Sequence, residues 1–337
     1  GMSDATVADT LCDPSVEAPI PAQPIDPPTL SMTFRINDGP FAGQEGDKVQ
    51  SRVIRDRLMR EAERNIAIRV TPSTEGGDSF DVAGRGELQL AILLENMRRE
   101  GFEVTVSRPK VVFRTDEETG QKLEPIEEVI IDVDEGHTGV VVQKLSERRG
   151  ELLEMRPSGG GRTRMVFHVP TRSLLGYQAE LLSDTRGTAV MNKLFHAYEP
   201  FRGDIAGRHT GVLISNSDGE AAAYAIFNLQ DRGPFFIGAQ TRVYVGMIVG
   251  EHTRDNDLEV NVVKGKKLTN VRASGKDDAV LLTPPIKLTL EMAMSYITDE
   301  ELVEVTPQSI RLRKRWLDPN ERKKQERKKE AEREAVA

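Results

Sequence analysis

Cysteine, tryptophan and aromatic residues in general are scarce in this 337-residue sequence. It has one cysteine, Cys12, one tryptophan, Trp316, and 5% aromatic residues. A single cysteine cannot form an internal disulfide, which excludes the disulfide-stabilised class of small secreted domains and fits a reducing compartment. The sequence also lacks an apolar run of the roughly 18–20 residues that a membrane-spanning helix needs, and its first residues do not form a signal peptide. We therefore expect a cytoplasmic protein that does not enter a membrane.

An excess of positive charge is also missing. The formal net charge is −8, with 38% hydrophobic and 30% charged residues, proportions that are ordinary for a globular protein. Because the overall field would repel a polyanion, any binding to RNA must come from local basic clusters. The length is sufficient for two or three domains with their own cores.

The first segment, residues 1–28, has few large apolar residues and many prolines, which are Pro14, Pro19, Pro21, Pro24, Pro27 and Pro28. Proline fixes φ and removes a backbone donor, so we expect an extended linker.

Two stretches of similar pattern follow the linker. Period-2 and helical spacing of apolar residues predict β-α-β-β-α-β order in 29–115, with strands near 32–36, 66–70, 80–82 and 102–106 and helices near 49–62 and 90–97. The same order returns in 125–203, with strands near 129–133, 153–155, 165–169 and 190–198 and helices near 138–149 and 174–181. This is the ferredoxin-like split unit, so the fold class is α+β with two tandem ferredoxin-like domains.

The third stretch, 204–317, is predicted to be a β-rich C-terminal domain with one helix. Glycine recurs there, and short apolar runs at 211–215, 222–227, 242–249 and 258–263 indicate strands, whereas 288–297 has helical spacing. Residues 318–337 are charged and nearly free of large apolar groups, which predicts a solvated helix or a disordered tail.

No set of catalytic or metal-binding residues stands out. The sequence has no phosphate-binding loop with its Gly, Lys and Ser/Thr spacing, and its five histidines lack a short metal-ligand spacing. Asp132 and Asp134 lie on one strand and, with a histidine, could hold a metal. That metal-enzyme hypothesis stays open beside the expectation that this chain has no catalytic residue, no metal and no cofactor of its own.

The basic cluster between Lys264 and Lys276 is more informative. Five basic and no acidic residues occupy this glycine-containing stretch, which has no apolar rhythm and is predicted to be a long exposed loop. Such a loop in an acidic protein suits contact with a phosphate backbone. The predicted RNA-binding residues are Lys264, Lys266, Lys267, Asn270, Arg272 and Lys276.

Two further basic clusters could contact ribosomal RNA, although surface charge alone would also explain them. One surrounds the first helix and the hairpin of the second split unit, and the other ends the last strand beside Trp316, a residue that could stack on a base or anchor local packing. The predicted residues are Arg148, Arg149, Arg162, Arg164, Arg313 and Lys314.

Several long motifs resemble the BipA/TypA family of translational GTPases. These are ENMRREGFE at 95–103, VSRPKV at 106–111, GVLISN at 211–216, LQDRG at 229–233, GKKLTNVRASG at 265–275 and ELVEVTP at 301–307. The first two resemble the family's domain III, the others its C-terminal domain, and 125–203 would be its domain V. The likeness covers most of the chain after the linker.

The resemblance implies a function that composition could not indicate. Proteins of this family are similar to elongation factor G and LepA, with a GTPase domain and a β-barrel ahead of the ferredoxin-like domains. Residues 1–28 would then include the remnant of the barrel, and GTP and Mg²⁺ would bind in the missing GTPase domain. The basic loop would contact the acceptor end of A-site tRNA and nearby rRNA on the large subunit and the 70S ribosome. The family is linked to large-subunit assembly and stress-responsive translation.

A competing hypothesis is a protein-interaction scaffold whose tandem split domains bind a peptide or a protein without RNA. The acidic net charge is compatible with it. In either case we expect a monomer.

Overall fold

The computed structural model describes residues 10–16, 18, 20, 26–74, 76–205, 207–265 and 281–336. The chain divides into two compact units. Unit 1 contains 1–36, 46–104 and 109–206, and unit 2 contains 37–45, 105–108 and 207–337. Both mix helices with β-sheet, so the α+β class is confirmed. Within the described residues, no helix is both long and apolar enough to cross a membrane.

All six elements predicted for the first split unit are present. They are β1 (Leu30–Ile36), α1 (Ser51–Arg64), β2 (Arg69–Pro72), β3 (Ser79–Gly84), α2 (Glu87–Arg99) and β4 (Val104–Val106). β1 pairs antiparallel with β3, and β3 pairs antiparallel with β2. Two short strands follow, β5 (Lys110–Val111), which pairs with β1, and β6 (Arg114–Thr115).

Buried apolar side chains explain these helices. α2 buries one face, which consists of Leu90, Ala91, Leu93, Leu94 and Met97. Gly101 lies two residues beyond the last residue of α2, and its φ of 92° is unfavourable for other residues. The N–H of Phe102 donates to the carbonyl of Met97 and that of Gly101 to the carbonyl of Arg98, at 3.1 Å each. These two bonds form a Schellman motif, in which Gly101 caps the C-terminal end of α2.

The second half of unit 1 repeats the same element order. Its elements are β7 (Lys122–Asp134), α3 (Thr138–Glu147), β8 (Glu151–Gly159), β9 (Arg162–Pro170), α4 (Tyr177–Asp184) and β10 (Val190–Pro200). The strands lie in the order β10-β7-β9-β8, with antiparallel neighbours, and β6 pairs with β7. One face of this sheet and the two helices enclose a core that includes Val129, Ile131, Leu145, Phe167 and Tyr177.

Unit 2 has a sheet in which β11 lies between a parallel and an antiparallel neighbour. Its strands are β11 (Val212–Ser215), β12 (Gly219–Glu220), β13 (Arg242–Val243), β14 (Met247–Glu251), β15 (Leu258–Val260), β16 (Glu301–Val305) and β17 (Ile310–Lys314). The order is β15-β11-β14-β17-β16, and β12 pairs separately with β13. β11 and β15 run parallel, whereas the other pairs are antiparallel. The core includes Leu213, Ile226, Tyr244, Val249 and Val262.

The helices of unit 2 include one that the sequence analysis assigned wrongly. They are α5 (Ala223–Leu229), α6 (Leu290–Tyr296) and α7 (Pro319–Val336). Residues 222–227 were predicted to be a strand, but they begin α5 and bury Ala225 and Ile226. Alanine has the highest helix propensity, and here it outweighs the aromatic and β-branched residues beside it. The predicted helix at 288–297 is confirmed as α6.

The charged tail is helical through its described residues, and its first turn is anchored. Asp318 caps α7, because its Oδ1 accepts from the N–H groups of Asn320 and Glu321 at 2.8 and 3.0 Å. Arg322 is buried, pairs with Glu259 at 2.8 Å and donates to the carbonyl of Trp316 at 3.0 Å. Of the two alternatives for the tail, the helix is confirmed, but its start packs on unit 2 rather than standing in solvent.

Candidate nucleic-acid interface

The basic stretch begins at a well-anchored strand end in unit 2. Val262, just after β15, is fully buried, and its carbonyl accepts from the N–H of Ala222 at 2.8 Å. The side chain of Asn261 accepts from the N–H groups of Val263 and Lys264 at 3.1 and 2.9 Å. Its amide donates to Ser217 Oγ at 3.0 Å. Asn261 therefore fixes the direction in which the chain enters the basic stretch.

The chain is fixed again on the C-terminal side of the stretch, from residue 281 onwards. Leu282 packs against the core of unit 2. The N–H of Thr283 donates to Gln230 Oε1 at 3.3 Å, and that of Ile286 to the carbonyl of Phe235 at 2.8 Å. Both flanks of the stretch are thus attached to the same unit.

Among the residues predicted to bind RNA, the structure describes Lys264, which is exposed. The remaining five, Lys266, Lys267, Asn270, Arg272 and Lys276, lie outside the described residues.

Gly233 and Gln230 belong to the same motif, LQDRG at 229–233. Position 233 requires glycine because the neighbouring backbone packs closely against it. Its φ is 147°, and a Cβ placed there would lie 2.1 Å from the carbonyl oxygen of Glu251. We expect Gly233→Ala to destabilise unit 2 by about 1–3 kcal/mol, because backbone must move and the conformation is strained. Urea unfolding followed by the fluorescence of Trp316, which belongs to unit 2, measures this.

Gly207→Ala is the matched control, because a Cβ at Gly207 meets no heavy atom within 4 Å. Equal urea midpoints for the two variants would contradict the steric explanation.

The basic cluster at the end of the last strand is largely buried, which corrects the expectation that Arg313 and Lys314 face RNA. Arg313 is 2% exposed and pairs with Asp38 and, at 3.2 Å, with Glu304. Lys314 is 5% exposed and pairs with Asp257 at 2.6 Å and Glu301 at 2.8 Å. These cations are used inside unit 2, so we leave both out of the proposed RNA-binding set.

Glu301 is the centre of this buried network. Its side chain is fully buried and accepts two hydrogen bonds from Arg208, at 2.8 and 3.0 Å, besides the one from Lys314. Burial by itself would raise the pKa of the Glu301 carboxyl, but the hydrogen bonds from Arg208 and the charges of both cations outweigh it and lower the pKa. Glu304 differs, because burial dominates and raises its pKa.

Sequence analysis missed these carboxylates, although the hairpin register contains a signal. In β16 and β17, Glu301 faces Lys314 and Glu304 faces Arg311. Opposite charges directly across two neighbouring strands favour an ion-paired ladder over a surface basic cluster.

Most arginines of the basic cluster in the second split unit also form ion pairs with carboxylates. Arg148 bonds to Glu180 and to the carbonyl of Ser173. Arg162 donates to the carbonyls of Asp132 and Thr188, both at 2.9 Å, and Arg164 pairs with Asp132 at 2.9 Å.

Arg149 is the more accessible member of this cluster. It is exposed, has a φ of 66° and makes long hydrogen bonds of 3.4 Å to the carbonyl of Asp204. Of the four predicted residues, it retains the most hydrogen-bonding capacity for a phosphate.

The pairing of these arginines argues against the hypothesis that Asp132 and Asp134 hold a catalytic metal. Both oxygens of Asp132 accept from Arg164, and Asp134 pairs with Arg162 at 3.4 Å. Hydrogen bonding and the positive charge of Arg164 lower the pKa of Asp132. The two carboxylates therefore serve a salt-bridged sheet face, and in the described part of the chain no histidine joins them in a possible metal-binding group.

Two parts of the chain match models of known protein families. Residues 121–209 match the family model for the elongation factor G C-terminus, and residues 210–319 match the model for the TypA/BipA C-terminal domain. The chain thus carries domains of the translational GTPase class.

Curated relatives identify the family within this class. The chain is 52% identical over 325 residues to the large ribosomal subunit assembly factor BipA of Salmonella typhimurium. It is 51% identical to the protein of that name in Escherichia coli K12 and 49% to that in Haemophilus influenzae. These matches cover 96% of this chain and 53%, 53% and 52% of the relatives.

The chain belongs to the BipA/TypA family, and it corresponds to the C-terminal part of these relatives. It spans about half the length of the curated relatives that it matches.

Proposed function

We propose that this chain is the ribosome-binding C-terminal region of a BipA/TypA translational GTPase, with its basic stretch in contact with rRNA and the acceptor end of A-site tRNA. The observation that supports this most strongly is that the chain is anchored at 261–264 and again at 282–286, on either side of a segment whose part 264–276 has five basic and no acidic residues. Both flanks lie in unit 2, so the stretch is attached to a folded unit at each end. The relatives' name as large-subunit assembly factors agrees with a ribosomal partner.

The proposed RNA-binding residues are Lys264, Lys266, Lys267, Asn270, Arg272 and Lys276. The lysines and the arginine would neutralise phosphates, and the Asn270 amide would hydrogen-bond to RNA. Arg149, Arg148, Arg162 and Arg164 would add rRNA contacts on the second split unit, with Arg149 the most accessible of them.

The domain organisation is part of the proposal. Residues 29–115 and 125–203 would be ferredoxin-like domains equivalent to domains III and V of elongation factor G, and 204–317 the C-terminal domain, between the 1–28 linker and the 318–337 tail. The full-length protein would hydrolyse GTP with Mg²⁺ in a domain outside this chain. It would act in the cytoplasm as a monomer, in large-subunit assembly and stress-responsive translation.

Removing two charges from the basic stretch tests the proposal. We expect Lys266→Ala/Lys267→Ala to weaken co-sedimentation with 70S ribosomes and isolated large subunits. The dependence of binding on salt should flatten by about one unit of logarithmic slope for each phosphate that the variant no longer neutralises. The measurement is a binding isotherm at several salt concentrations.

The control is Arg52→Gln/Arg55→Gln, which removes the same charge from exposed positions of α1. If both double variants lose affinity equally, net charge rather than the basic stretch controls binding. If the lysine variant keeps the affinity and slope of the wild type, the assignment fails. Partner binding that survives high salt and nuclease would instead favour the scaffold hypothesis.

A further inference from the structure

A cluster of two histidines and a glutamate lies on the second sheet of unit 1. The ligand atoms of His168, His196 and Glu199 all lie within 4.8 Å of one another. The two imidazole rings have centroids 4.0 Å apart. All three lie within 121–209, the stretch that matches the elongation factor G C-terminus, and none of them is among the proposed RNA contacts.

The sheet topology explains how residues 28 positions apart meet. His168 lies on β9 and His196 on β10, and both strands flank β7. Alternation along β9 places Phe167 and Val169 in the core and His168 on the opposite face. On β10 the pairing with β7 shifts between Phe195 and Ala197, so His196 is the extra residue of a β-bulge. A bulge redirects a side chain, and this one brings His196 to the ring of His168.

Glu199 is held in position by a neighbouring cation. Arg202 donates to its Oε2 at 2.7 Å and to the carbonyl of His168 at 3.1 Å. A ligating carboxylate in proteins is usually oriented by such a second hydrogen bond, while the other oxygen coordinates the metal. Arg202 also donates its backbone N–H to buried Glu124 at 2.7 Å, which fixes it to the sheet.

We propose that His168, His196 and Glu199 form a binding site for a divalent transition-metal ion, with Zn²⁺ as the best match. Two imidazole nitrogens and one carboxylate oxygen are a known three-ligand set for Zn²⁺, with water at the fourth position. Imidazole suits Zn²⁺, Cu²⁺ and Ni²⁺, whereas Mg²⁺ and Ca²⁺ require oxygen ligands. The ion would connect β9 to β10 across β7 and would stabilise unit 1, because it binds the folded state alone.

Calorimetric titration of the full chain with ZnCl₂ tests the site. We expect one Zn²⁺ per chain, and at least an order-of-magnitude loss of affinity in His196→Ala and in Glu199→Gln. His137→Ala, which changes a histidine of the same unit outside the cluster, should bind as the wild type does.

Bound Co²⁺ provides a second readout, since its visible absorption reports the ligand geometry directly. The wild type and His137→Ala should show the spectrum of a nitrogen-ligated ion, and His196→Ala should lose it. His196 is exposed, so its replacement should leave the fold intact, which circular dichroism checks. Absence of saturable Zn²⁺ binding in the wild type, or equal affinity in His196→Ala and His137→Ala, would overturn the proposal.

Discussion

Replacing Glu301 with alanine should lower the free energy of unfolding of unit 2 by about 3–5 kcal/mol. The variant would remove the buried carboxylate that Arg208 and Lys314 share, while Lys314 would keep its pair with Asp257. Removal of one partner from a buried ion pair costs about that much, because the desolvated charge left behind has no compensation. Urea unfolding followed by Trp316 fluorescence reports on unit 2, since this is the sole tryptophan of the chain.

Glu300→Ala is the matched control at the adjacent residue. Glu300 pairs with Lys329 at 2.5 Å, but the two side chains are 35% and 44% exposed. Exposed ion pairs contribute less than about 1 kcal/mol. Comparable destabilisation by the two variants would show that the Glu301 network is not desolvated in solution.

The same carboxylate predicts the acid sensitivity of unit 2. Because the pKa of Glu301 is below its ordinary value of 4.5 in the folded state, its stabilising contribution is complete above pH 4.5. It is lost as the pH falls through the lowered folded-state pKa. Glu301→Gln should therefore lose less stability than the wild type between pH 7 and pH 3.

Glu124→Ala should destabilise unit 1 by a similar amount, about 3–5 kcal/mol. Glu124 is fully buried on β7 and pairs with Arg172 at 2.5 Å. Arg172 also stacks over the ring of Phe201, with its guanidinium carbon 4.6 Å from the ring centroid. The variant leaves this mostly buried guanidinium without its carboxylate, which carries the full desolvation cost. Hydrogen exchange of peptides from β7 and β9 measures the loss in unit 1 separately.

The same sheet offers an exposed carboxylate–arginine pair as the control. Glu154 pairs with Arg156 at 3.3 Å, and the side chains are 50% and 59% exposed. We expect Glu154→Ala to change the protection of β7 and β9 by less than about 1 kcal/mol. Protection that decreases equally in both variants would refute a special role for Glu124.

Local pattern was sufficient to predict most of the elements of unit 1. Its strands alternate and its helices repeat every three to four residues, because each element buries a single face. The Gly101 cap also depends on local sequence, since the glycine lies four residues after Met97, the last apolar position of α2. Each of these features depends on residues that are close in sequence.

What the sequence did not reveal depends on partners that are distant along the chain. The cluster at Arg313 and Lys314 has the composition of an exposed basic patch, but Asp38, Asp257 and Glu301 turn it into a buried network. His168 and His196 meet only because a strand bulge brings them together. The α5 error has a local cause, since short apolar runs do not distinguish a strand from a buried helix.

Unit 2 consists of separate stretches of sequence, because residues 37–45 belong to it. This affects how the unit can fold. Phe41 packs edge-on against Tyr244 with ring centroids 5.1 Å apart, and Glu45 pairs with Arg311 across 266 positions of sequence. During synthesis this segment leaves the exit tunnel long before its partners exist, and such distant closures slow folding. A fragment that begins at residue 207 would keep Glu304 beside Arg311 and Arg313, but these arginines would lose their other acidic partners, Glu45 and Asp38. Unit 2 is therefore defined by contacts in the folded structure and not by one continuous stretch of sequence.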